Sequence, residues 1–244
     1  MRRARDDNHA LVVSIFVNPT QFGPGEDYDS YPRDLEKDAS LCREAGCDVL
    51  FTPGADEMYP KGSVTTVSVA GLTETLCGAS RPGHFDGVTT VVSKLFNIVS
   101  PHTAYFGLKD YQQFRVIYTM VQDLNMNINI VGLPTVREED GLAMSSRNAY
   151  LYDDERSGAL TLSRSLDAAR EMVKEGIRDP RAIEQKVTGI IESEPTTRID
   201  YVSVVNADDL TPLSTIDECA LLALAVYVGD ARLIDNDVLK INGN

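Results

Sequence analysis

Phe106-Gly107-Leu108-Lys109-Asp110-Tyr111-Gln112-Gln113 is the stretch on which the fold turns. The apolar run Thr103-Ala104-Tyr105-Phe106 ends there in a glycine, and Phe114, Ile117, Tyr118, Val121 and Leu124 then recur at helical spacing through 111–125. A strand that passes through a glycine into a helix points unpaired N–H groups and the positive end of the helix dipole at one place, and Lys109 adds a full charge to it. That place suits an anion, phosphate above all. As a bare pattern, Gly107 to Asp110 also describes an ordinary turn.

Upstream, the same alternation repeats. Residues 11–17 read as a continuous apolar strand with one serine, buried on both faces, and residues 1–8 as the tail of a helix leading into it. The strand ends in Asn18-Pro19-Thr20-Gln21-Phe22-Gly23-Pro24-Gly25, at the sheet edge where open α/β folds bind ligands. Asn18 and Gln21 carry neutral amides that can read a hydroxyl or a carboxylate, or else cap the loop. A helix over 33–45, a strand over 47–51 and a helix over 86–99 follow, with 64–69 as a further β-rich segment. Arg81 and His84 fall on an irregular, flexible stretch between them. With a short strand at 128–132, the order describes a doubly wound parallel sheet.

Downstream, Leu142-Ala143-Met144-Ser145-Ser146-Arg147-Asn148 places two hydroxyls and a guanidinium in a loop with no opposing carboxylate, a phosphate-binding combination. The acidic run Glu138-Glu139-Asp140 reads as a solvated turn. From residue 153 the character shifts to helices over 153–176 and 180–194 and strands over 198–205 and 220–228, a second and smaller α/β unit. The expected division is 1–136 and 137–244.

The chain has 244 residues, a formal net charge of -14 and 43% hydrophobic residues. That balance describes a globular protein whose surface repels nucleic acid and anionic membrane, so phosphate must be met in a local cationic pocket. No apolar run reaches the roughly 18 residues of a membrane span, and the N-terminus does not read as a signal peptide, which leads us to expect a cytoplasmic protein. Cys42, Cys47, Cys77 and Cys219 form no Cys-x-x-Cys pair and no cluster with His9, His84 and His102, so no structural zinc site is expected.

Taken together, Phe16-Val17-Asn18-Pro19-Thr20-Gln21-Phe22, Arg81-Pro82-Gly83-His84-Phe85, the stretch from Phe106 to Gln113, and Met144-Ser145-Ser146-Arg147-Asn148 closely resemble the pantoate-β-alanine ligase family. The resemblance implies a Rossmann-like nucleotidyltransferase domain over 1–136 that binds nucleotide and pantoate, and a small C-terminal α/β lid domain over 137–244. It implies a homodimer, ATP as substrate with Mg2+, and a pantoyl adenylate that β-alanine then attacks. Gln21 and Gln113 resemble the family's pantoate glutamines, with Asn18 beside them. Gly107, Leu108, Lys109 and Asp110 match the ATP motif, in which Leu108 replaces the usual acidic residue. Val136 matches a position beside the adenine. Met144, Ser145, Ser146 and Arg147 resemble a flexible loop that closes over the triphosphate, so Lys109, Ser145, Ser146 and Arg147 carry the catalytic assignment; metal ligands stay unassigned.

One departure stands out. The family opens with a strand ending in a Met-Gly-x-x-His-x-Gly-His type of motif, and no His-x-Gly-His occurs in this chain, whose Met1 falls in the helix expected after it. The sequence therefore reads as lacking the first strand, through a late start, a fragment or a genuine loss, and its activity is expected to be impaired. Two other readings remain open at this level: a non-catalytic protein that keeps a pantoate or nucleotide pocket, and another adenylate-forming ligase.

Overall fold

The computed structural model describes residues 1–241. In chain order the elements are α1 (Arg2–Asp7), β1 (Val12–Ser14), α2 (Leu35–Glu44), β2 (Val49–Phe51), α3 (Ala55–Met58), α4 (Cys77–Ser80), α5 (His84–Val99), β3 (Thr103–Gly107), α6 (Tyr111–Asp123), β4 (Asn129–Leu133), α7 (Arg156–Lys174), α8 (Pro180–Ile191), β5 (Thr197–Val205), β6 (Cys219–Val228) and β7 (Ala231–Lys240). Tight 3-10 turns cover Pro19–Gln21, Leu108–Asp110 and Ser146–Tyr150. Strands β1 and β2 pair in parallel with Val12 opposite Val49, β3 pairs with β4, and β5-β6-β7 form an antiparallel sheet. The chain is thus α/β, with alternating strands and helices followed by an antiparallel C-terminal sheet.

Two compact units emerge. The first comprises Met1–Val69, Arg81–Tyr105 and Ile117–Val131; the second comprises Ala70–Ser80, Phe106–Val116 and Gly132–Asn244.

In the first unit, α5 supplies the inward face: Phe85, Val88, Val91, Val92 and Phe96 are all buried, at the spacing of a single helical stripe. Gly87 lies on that stripe for a steric reason. A Cβ there would stand 2.4 Å from the carbonyl oxygen of Thr20 and 2.6 Å from the amide nitrogen of Gln21, so only glycine lets α5 approach the Pro19–Gln21 turn. Two expectations are corrected here. Strand β1 is shorter than 11–17 and is not buried on both faces, because its two-stranded sheet leaves Val12 37% and Val49 52% exposed. Residues 64–69 are no strand: Val67 is held by helix side chains instead, its N–H donating to Thr90 Oγ1 (3.0 Å) and its carbonyl accepting from Thr89 Oγ1 (2.5 Å).

In the second unit, α7 buries Leu162, Leu166 and Ala169 and α8 buries Ile183, Val187 and Ile191, in one cluster with Leu222, Leu224 and Val226 of β6. Strand β6 is the middle strand and is buried nearly throughout, which explains its unbroken apolar sequence. Strand β7 is an addition to the expected elements. It contains the polar run Asp235-Asn236-Asp237, and every residue of the strand pairs with β6 in regular register.

Candidate active site

The first unit contains the turn that follows β1. Asn18 is only 2% exposed, and all four hydrogen-bonding positions of its amide are used. Its Nδ2 donates to Gln21 Oε1 (3.1 Å) and Gly87 O (3.0 Å), while its Oδ1 accepts from Thr20 Oγ1 (3.0 Å) and Tyr59 Oη (2.8 Å). Asn18 therefore orients Gln21. With its oxygen occupied, the Gln21 amide keeps its Nε2 donors without a partner among the described residues.

The backbone of the same turn is held from the start of α5 and the residues just before it. Gln21 O accepts from His84 Nδ1 (2.8 Å) and from Arg81 Nη2 (3.2 Å), and Arg81 Nη1 lies 3.2 Å from His84 Nε2. A carbonyl only accepts and a guanidinium only donates, so these contacts select the neutral Nδ1–H form of His84. Arg81 also grips Glu26 through two bonds of 2.6 and 2.5 Å. Burial would push the Glu26 carboxyl up, but the Arg81 guanidinium and the Gly23 N–H outweigh it and hold the carboxyl below its usual 4.5. The stretch expected to be flexible is thus firmly tied: His84 opens α5, and Arg81 makes a charge-assisted fork.

In the second unit the strand-glycine-helix junction forms as the sequence implies, with β3 ending at Gly107, the turn at Leu108–Asp110 and α6 opening at Tyr111. The Lys109 ammonium has no partner among the described residues, and Asp110 is exposed. The adjacent glutamines divide two tasks. Gln112 is buried and spends its amide on the backbone, donating to Leu72 O (2.8 Å) and Thr75 O (2.7 Å) and accepting from Cys77 N (3.0 Å). Gln113 is half-buried, and its amide is not engaged among the described residues.

Lys109 and Ser145 line one cleft, together with Leu142, Ala143, Asn148, Leu162, Leu233, Ile234 and Asp235. It has room for about one water molecule, roughly 10 Å3. Asn148 Nδ2 donates to Glu138 Oε1 (2.6 Å) and Ala143 O (3.1 Å), which fixes the orientation of the amide and leaves its buried Oδ1 without a partner among the described residues.

The segment leading into this cleft is a short hairpin. Arg137 bridges Ala143, Met144 N donates to Val136 O (2.9 Å), and the exposed Val136 (65%) and Met144 (54%) become neighbours suited to a flat apolar ring. Ser145 caps the Ser146–Tyr150 turn, its Oγ accepting from Arg147 N (3.2 Å); Ser146 is exposed and Arg147 half-buried. The acidic run beside it is not merely solvated: Arg156 pairs with Glu138 and Asp140, both at 2.6 Å, and holds the two carboxyls below their usual range.

Gln112, Arg137, Asn148, Asp235 and Asn236 also build these segments, although no local pattern assigns a role to any of them. Of the five, Gln112 and Asn148 fall within the quoted motifs.

The family model for pantoate-β-alanine ligase matches residues 1–238. The chain belongs to the pantoate-β-alanine ligase family. It is 57% identical over 241 residues to the pantothenate synthetase of Moorella thermoacetica and 58% identical over 241 residues to that of Heliobacterium modesticaldum, covering 99% of this chain and 85% and 86% of theirs. Its fold matches the crystal structure of pantothenate synthetase from Thermus thermophilus with a TM-score of 0.94 at 49% identity, over 99% of this chain and 87% of that one. The ligase of Francisella tularensis, solved with β-γ ATP and β-alanine, matches at a TM-score of 0.79 and 33% identity over 99% of this chain and 84% of its own. As a member of this ligase family, the chain is an enzyme that joins pantoate to β-alanine.

Proposed function

We propose that the chain performs this ligation with ATP through a pantoyl adenylate. The pantoate carboxylate attacks the α-phosphorus of ATP and pyrophosphate leaves. The amine of β-alanine then attacks the acyl carbon, AMP leaves, and the amide of pantothenate remains. The observation that carries the residue assignments is the state of the two glutamines. Gln21 and Gln113 each keep amide groups unspent among the described residues, while their neighbours Asn18 and Gln112 absorb the structural hydrogen bonds. Half-buried neutral amides held in place are the groups that can read hydroxyls and a carboxylate by direction, and orientation supplies much of the rate.

The remaining roles follow from charge. Two anions meet in the first step, so Lys109, whose ammonium has no partner among the described residues, offsets the negative charge that builds on the phosphate oxygens. Ser145, Ser146 and Arg147 add donors to the phosphate chain, Gly107, Leu108 and Asp110 present the turn, and Val136 with Met144 flanks the adenine. Leu108 brings no carboxylate to the motif, so any contact there comes from its backbone.

No three His, Cys, Asp or Glu side chains converge on a metal position among the described residues. Mg2+ would be carried in on the triphosphate with its waters, where it would supply charge neutralisation. Residues 1–136 supply the nucleotide- and pantoate-binding part and 137–244 the smaller part. The protein works as a cytoplasmic homodimer; among the described residues no helix is long and apolar enough to cross a membrane.

The test is a stoichiometric assay with pantoate, β-alanine and ATP. Pantothenate, AMP and pyrophosphate should appear one for one. ADP and phosphate in place of AMP and pyrophosphate would refute the adenylate. Binding of pantoate and ATP without any product would favour the non-catalytic reading.

A further inference from the structure

Strand β7 carries two adjacent side chains that reach the two parts of the Lys109 cleft. Asn236 Nδ2 donates to the carbonyls of Leu108 (3.0 Å) and Lys109 (2.7 Å), the first two residues of the turn that presents the lysine. Asp235 is 2% exposed and accepts from Arg137 Nη1 (2.6 Å) and Nη2 (2.9 Å). Arg137 Nη1 also donates to Gly141 O (3.0 Å), so the fork holds the hairpin that runs into Met144 and Ser145. Neighbouring side chains of a strand point to opposite faces, and their Cα atoms are fixed about 3.8 Å apart. The strand is itself pinned, with Asp235 opposite Leu224 and Asn236 opposite Ala223 of the buried β6.

We infer that Asp235 and Asn236 are positioning residues: β7 acts as a ruler that sets the separation between the Lys109 turn and the Val136-to-Ser145 hairpin. This rests on the nucleotide role proposed for both segments. The physical need is clear. The Lys109 ammonium has no partner among the described residues to locate it, so its place depends on the backbone of its turn, and Asn236 fixes that backbone by its carbonyls while leaving the ammonium free. An electrostatic site loses much of its effect when its donors shift by about 1 Å.

The test uses Asn236→Asp, which keeps the shape and deletes the donors, with Asn236→Ala as a milder second variant. Amide hydrogen exchange across 108–113 reads the tie without any ligand, and calorimetric titration with ATP and with pantoate reads its consequence. Exchange at 108–113 should quicken about tenfold with β6 unchanged, and ATP should bind about tenfold more weakly, the worth of one to two net hydrogen bonds, with pantoate losing less. Val187→Ala, in the α8 core, serves as a control of comparable thermal stability and should reproduce neither effect. Unchanged exchange, or unchanged ATP affinity despite faster exchange, would overturn the inference, as would equal changes in Val187→Ala. A parent chain that binds no ATP at all would refute the nucleotide reading itself and this role with it, even where exchange reports the tie.

Discussion

Gly87→Ala sets two opposing effects against each other at the Gln21 turn. Gly87 sits inside α5, where alanine is favoured over glycine by roughly 0.8–1 kcal/mol on helix propensity. Against this, the new methyl would lie 2.4 Å from Thr20 O, 2.5 Å from Thr20 C and 2.6 Å from Gln21 N, all of them backbone atoms that cannot rotate away. Forcing extra volume into such a contact costs about 1–3 kcal/mol. The displaced turn also strains the bond from Asn18 Nδ2 to Gly87 O, a net loss of roughly 0.5–1.5 kcal/mol. The sum favours destabilisation by about 1–3 kcal/mol, a fall in Tm of roughly 2–4 °C for each kcal/mol. Because the turn carries Gln21, pantoate should bind at least about tenfold more weakly while ATP changes little. Gly189→Ala in α8 is the matched control: it is exposed, nothing lies within 4 Å of its added methyl, and it should gain up to about 1 kcal/mol. Differential scanning fluorimetry and pantoate titration of both variants decide the matter. A Gly87→Ala protein as stable as Gly189→Ala, with parental pantoate affinity, would show that the turn is not held by this contact.

Lys109→Ala should leave Tm unchanged within error, as its ammonium has no partner among the described residues to lose, and should slow pyrophosphate release by about 10²- to 10³-fold; a parental rate would reduce Lys109 to a surface charge. Gln113→Ala should weaken pantoate without lowering Tm, whereas Gln112→Ala should lower Tm because it strands two buried backbone groups, Leu72 O and Cys77 N, at about 1–3 kcal/mol each; the opposite pattern would exchange the two roles. Glu26 is held below its usual 4.5, so its pairing with Arg81 contributes stability fully present above that pH and lost as pH falls through the folded value. Pantoate affinity should therefore weaken as pH falls below about 4.5, and Glu26→Gln should remove that component; an identical acid limb in the variant would disprove the link.

The sequence alone determined what depends on local pattern and composition. The α/β order, the strand-glycine-helix junction at Gly107, helices α2, α5, α6, α7 and α8, and the family itself could be read from periodicity and from four ordered motifs. Tertiary structure decided what depends on which polar group finds which partner. Two glutamines in a row look alike in sequence; only packing against Leu72, Thr75 and Cys77 buries one and leaves the other unspent. Local pattern does not mark Asp235-Asn236-Asp237 as a strand, because sequence cannot show that Arg137, 98 positions away, neutralises Asp235 there. Residues 64–69 alternate like a strand, yet the hydroxyls of Thr89 and Thr90 satisfy Val67 in place of a neighbouring strand. Burying a charge or an amide is costly until its partner is supplied, and that partner is set by the fold, at a distance along the chain that no local pattern records.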